Sequence, residues 1–138
     1  MIFFLLALIY AFEEPEGLVP LNRVLFRRYV EARDPSQPWL VAFVRNGSKK
    51  CARCIPYLEQ VASRCYGYMF VGIVDQDSEP ILVSDYNVKK NWTIFLFDKN
   101  GYKHLPFPCD PQKYYRLLLD SLPNNVLDAD SSWIESSK

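Results

Sequence analysis

WLVAFVRNGSKKCARCIPYLEQVASRC, residues 39–65, is the stretch on which the fold turns. It begins with an apolar run, Trp39 to Val44, of strand length and without polar alternation, as a strand covered on both faces should be. A polar loop follows and contains Gly47. Beyond it Cys51, Cys54, Leu58, Val61, Ala62 and Cys65 recur at helical spacing and form one stripe, and Gly67 stands where a helix C-terminus is expected. Strand, loop and amphipathic helix in direct succession predict an α/β unit.

The flanks extend the same alternation. YMFVGIVD (68–75) is a second apolar strand, and EPILVSDYNV (79–88) is a short helix. WTIFLFDKNGYKHLPF (92–107) holds two strands around Asn100-Gly101, a dipeptide tolerant of positive φ and therefore a hairpin turn. Upstream, LNRVLFRRYVEA (21–32) places Leu21, Val24, Leu25 and Tyr29 on one helical face, and DPSQP ends that helix. QKYYRLLLDSL (112–122) is a last amphipathic helix. A first strand within 12–20 is weak or missing. The fold class is α/β: a central mixed sheet with helices on both faces, part parallel and with an antiparallel hairpin edge. The 138 residues suit one domain with a real core.

The first eleven residues, MIFFLLALIYA, are uncharged and apolar. They are too few to cross a hydrocarbon core, which needs roughly 20 residues, but match a signal-peptide core of about 7–15 with a small residue, Ala11, at its end. The alternative is a buried first strand. The expected organisation is a signal peptide at 1–11, a domain at 12–122 and a flexible, mostly polar tail at 123–138. The destination is the secretory pathway, either the endoplasmic reticulum lumen or secretion; the ending WIESSK carries no KDEL-type signal. Sixteen basic and sixteen acidic residues cancel, so no global field favours nucleic acid or an anionic membrane.

Cys51 and Cys54 form a C-x-x-C in an α/β context, a spacing associated with thiol redox chemistry. The chain resembles the thioredoxin superfamily, and within it the disulfide-isomerase-like domains, over about residues 20–122. LVAF, IPYLEQVA, GYMFVGIVDQD, DYNV, WTIFLFDKNG and the last helix carry the resemblance. It implies a thioredoxin-like fold and thiol–disulfide exchange on client polypeptides, with no dissociable cofactor. In that family a proline follows five residues after the second cysteine; here Pro56 lies five residues after Cys51. A gapless register from Phe43 therefore puts Ser48 at the first cysteine position and Cys51 at the second. A second register, with a loop longer by three and a helix shorter by three, makes Cys51 the attacking thiol and Cys54 the resolving one. In both, Ala42 stands where the family has a buried acid and Trp92 where it has a cis-proline. Residue 92 should have a trans bond.

Two functions follow. In the first, Cys51 and Cys54 exchange disulfides with clients, and Lys50 and Arg53, with the helix N-terminus, favour the thiolate. In the second, Ser48, Ala42 and Trp92 have replaced the catalytic parts, and the domain is a redox-inactive, chaperone-like module. Trp92, Lys89 and Lys90 would then form an exposed client-binding face. Cys54 and Cys65 are alternatively small core residues, and Cys109 is a loop cysteine or a third redox thiol. Asn46-Gly47-Ser48 is a glycan acceptor if the chain enters the endoplasmic reticulum. The single histidine, His104, and the lack of a paired C-x-x-C argue against a metal site.

Overall fold

A computed structural model describes residues 17–105. The expected leader at 1–11, the last helix at 112–122 and the tail at 123–138 lie outside these residues. The strands are β1 (Leu18–Pro20), β2 (Trp39–Val44), β3 (Phe70–Asp75), β4 (Trp92–Asp98) and β5 (Gly101–Leu105). They form one sheet in the order β1-β3-β2-β4-β5. β1, β3 and β2 run parallel, while β4 and β5 are antiparallel additions. The faint first strand thus exists as a three-residue edge. It pairs Leu18, Val19 and Pro20 with Val71, Gly72 and Ile73.

The apolar run of β2 is explained by its central place. Successive side chains point to opposite faces, and both faces are covered. Leu40, Ala42 and Val44 join one buried cluster with Val71, Ile94 and Leu96, covered by helix α2 (Lys49–Arg64). Trp39, Val41 and Phe43 join the other with Val74, Phe95 and Phe97, covered by helices α1 and α3. Helix α3 is Pro80–Asp85, and α1 runs from Arg23–Leu25 into the π-helical turns of Phe26–Glu31.

The expected apolar face of α1 holds at Leu21, which is buried, and at Leu25, which packs partly buried against the same cluster, but is displaced elsewhere. Phe26 and Val30 are fully buried, whereas Val24 is 65% and Tyr29 41% exposed. From Phe26 to Glu31 the turns are π-helical, and Ala32 N–H reaches back five residues to Arg27 C=O, at 3.1 Å. This wider turn rotates the stripe away from a 3.6-residue pattern. Arg27 and Tyr86 then tie α1 to α3 through Glu31 and Asp85. The strand expected at 68–75 also starts later, at Phe70. Tyr68 and Met69 N–H both close onto Cys65 C=O after α2, with Gly67 at φ +88°. The hairpin turn forms as expected, with Gly101 at φ +106°.

Candidate functional site

The polar loop after β2 and the first turn of α2 meet the ends of the parallel strands, where ligands of open α/β sheets bind. A cleft of about 790 Å³ opens there. Leu21, Leu25, Ile55 and Ile73 give it apolar walls, and Arg45 and Ser48 lie at its polar side. Arg45 stands 3.5 Å from Asp77 in an exposed ion pair, which contributes little to stability.

Ser48 is the N-cap of α2. Its backbone is extended, with φ −74° and ψ 124°, and its Oγ accepts from Cys51 N–H at 3.3 Å. The residue at the helix start, where the dipole and free N–H groups would favour an anion, is therefore a serine. Cys51 lies inside the first turn, is 3% exposed, and is a free thiol. Its Sγ donates to Asn91 C=O at 3.1 Å.

That carbonyl has a second donor. Gln76, buried just after β3, gives its Nε2 to Asn91 C=O (3.2 Å), Lys90 C=O (2.9 Å) and Phe43 C=O (3.1 Å). One side chain thus fastens the turn before β4 to the inner strand β2. Sequence reasoning passed over Gln76; its signal was a neutral amide between two aspartates directly after an apolar strand. Among the described residues the other buried polar side chain is Thr93, whose Oγ1 donates to Lys90 C=O at 3.1 Å.

Trp92 follows this turn, and all peptide bonds of the described residues are trans. It joins the same cluster as Cys51, on the α2 side of the sheet, but is 3% exposed. The expectation of an exposed aromatic at position 92 is corrected: as the first residue of β4, Trp92 turns its side chain into the core beneath α2. Lys89 and Lys90 are exposed.

Cys51 and Cys54 lie one turn apart on the buried side of α2, yet they are not joined. Cys54 is fully buried and disulfide-bonded, while Cys51 and Cys65 are both free. Lys50 and Arg53 are exposed. Burial pushes the Cys65 thiol up to about 11. Asn46 is exposed in its loop. Ala42 is buried beside Val71 and Ile94, with its partner Ile73 packed alongside, so its surroundings are apolar. No cluster of three or more metal-ligating side chains occurs among the described residues, and none of their helices is long and apolar enough to cross a membrane.

No protein-family model and no curated protein matches the sequence. Solved structures match the fold. The Trx4 domain of ERdj5 superposes with a TM-score of 0.69 at 19% identity, over 77% of this chain and 96% of that one. Full-length ERdj5 gives a TM-score of 0.72 at 22% identity, over 86% of this chain but only 18% of that one. Chloroplastic thioredoxin z gives 0.67 at 18% identity, over 79% and 97%. The chain has a thioredoxin-like fold, the fold type of thiol–disulfide oxidoreductases.

Proposed function

We propose that this thioredoxin-fold domain binds extended or unfolded polypeptides of the secretory pathway and does not exchange disulfides with them. One observation carries the reading: the N-cap of α2 is Ser48, and the nearest thiol, Cys51, is buried and donates to a backbone carbonyl. Exchange requires a thiolate that a client disulfide can reach. Ser48 is reachable and is not a thiol. The apolar Ala42 supports the same conclusion, since it offers no group to take up a proton during exchange.

The cleft supports binding. Its apolar walls would take up hydrophobic side chains, and Arg45 and Lys49 beside it favour acidic segments. Entry into the secretory pathway rests on the apolar residues 1–11.

The test pairs a reductase assay with a binding assay. The wild-type chain should not accelerate insulin reduction by a dithiol, but should bind a reduced, carboxymethylated polypeptide. Ser48→Cys should raise insulin reduction roughly a hundredfold or more, because it supplies a thiol at a helix N-terminus with Cys51 three residues on. Reduction by the wild type that Cys51→Ser abolishes would restore the exchange reading through Cys51 and Cys54, with Lys50 and Arg53 as its cations.

A further inference from the structure

A second groove, of about 380 Å³, adjoins the cleft, and Asn22, Ser78 and Glu79 line both. Val24 of α1 and Ile81 of α3 border this second groove and are 65% and 46% exposed. A single exposed apolar side chain is ordinary on a protein surface. Here two of them, from different helices, flank one groove that continues from an apolar cleft.

The polar residues shared by the two grooves are not equally engaged. Asn22 caps α1, its Oδ1 accepting from Leu25 N–H at 2.8 Å. Ser78 donates its hydroxyl to Asp75 at 2.9 Å, and Asp75 also accepts from Asp77 N–H at 3.0 Å. Glu79, half-buried at the start of α3, makes no side-chain cap bond, and its carboxylate has no hydrogen-bond or ion-pair partner among the described residues. Arg23 lines the second groove as well but is not paired with it. From α2, Lys49 lines the cleft, is exposed, and likewise has no ion pair among the described residues. The cleft therefore offers an occupant one uncommitted cation from α2 and one uncommitted anion from α3.

We propose that the two grooves form one extended site for a polypeptide segment in which an acidic, an apolar, a basic and a second apolar residue follow one another, and that Glu79 selects the basic one. This rests on the polypeptide-binding reading above and adds the class of segment bound. The acidic residue meets Lys49, and the first apolar side chain enters the cleft between Leu21, Leu25, Ile55 and Ile73. Glu79, common to both grooves, meets the basic residue between them, and the last side chain covers Val24 and Ile81. Apolar burial supplies the attraction. The charges fix register and reject segments that place an acid beside Glu79.

The test uses the full chain and end-capped, dye-labelled peptides with the core Asp-Phe-Lys-Leu, or with Gln or Glu in place of Lys, read by fluorescence anisotropy. The wild type should bind the Lys peptide roughly fivefold more tightly than the Gln peptide, with the preference fading at high salt. In Glu79→Gln the Lys and Gln peptides should bind alike, and in Glu79→Lys the Glu peptide should become the preferred one. Glu79→Gln is decisive if Glu79→Lys does not accumulate. Val24→Ser combined with Ile81→Ser should weaken the Lys peptide roughly threefold or more while keeping its advantage over the Gln peptide. Equal binding of the Lys and Gln peptides by the wild type, or a preference that survives Glu79→Gln, would overturn the proposal. If the reduced, carboxymethylated polypeptide still bound in that case, polypeptide binding would stand and only this assignment would fall. If neither the peptides nor that polypeptide bound, both would fall.

Discussion

Cys65 is a thiol whose burial has a measurable cost in alkali. Buried at the end of α2, it holds its proton up to about pH 11, against 9.0 for an exposed thiol. The folded form therefore binds that proton more tightly than the unfolded form. Its contribution is complete below about pH 9 and is lost as the pH rises through about 11. The loss should be ~2–3 kcal/mol. Urea unfolding at both ends of that interval should show a steeper fall for the wild type than for Cys65→Ala; parallel falls would contradict the assignment. At this scale the sequence was informative about burial and poor about partners. The stripe announced that Cys51, Cys54 and Cys65 face the core, but spacing alone made Cys51 and Cys54 a pair. Gln76 was illegible for a related reason: its three carbonyl partners come from β2 and from the turn before β4. No local pattern reports such a meeting.

Among the elements, α2 was read well and α1 badly. The boundaries of α2 follow from local chemistry: a serine that caps, an apolar stripe, and a glycine beyond the end. Ser48→Ala should accordingly destabilise the fold by about 1 kcal/mol, read as a lower urea midpoint at unchanged slope. No change would mean that the 3.3 Å bond to Cys51 N–H contributes nothing. For α1 a 3.6-residue period was assumed, and the π-helical turns broke it. The choice between them is made by packing: Phe26 meets Phe43, Tyr86 and Phe97 edge-on, at centroid distances of 6.2, 5.3 and 5.7 Å. Such contacts draw on three other elements and lie beyond any window of local sequence.

Across the whole described molecule, the alternation of helix and strand was enough to give the layered architecture. Sheet order was not available from it, because β1 was too short to leave a pattern and its partner β3 lies some fifty residues on. The inner strands β2 and β4 are buried along their length. β1 is a half-exposed rim of three residues ending in Pro20, which has no N–H to give. Stability is not uniform in such a sheet; weakly buried edges open with free energies well below that of global unfolding. Amide hydrogen exchange should therefore find the N–H groups of Leu18, Val19 and Leu21 fast, and those of Val41, Ala42 and Leu96 protected to the global limit. Equal protection at both places would refute this.

The brevity of β1 also sets how the molecule can breathe. Pro20 and Leu21 form a wall of the cleft that Cys51 also lines. Among the described residues, three paired positions, the bond from Leu21 N–H to Ile73 C=O at 2.9 Å, and the packing of Leu18, Val19 and the buried Leu21 hold that wall in place. Peeling of the rim widens the cleft while the β2–β4 centre stays closed, so a ligand larger than the resting cavity could be admitted at the cost of one short strand. The rate at which such a ligand enters would then track the opening of β1 and level off at high ligand concentration.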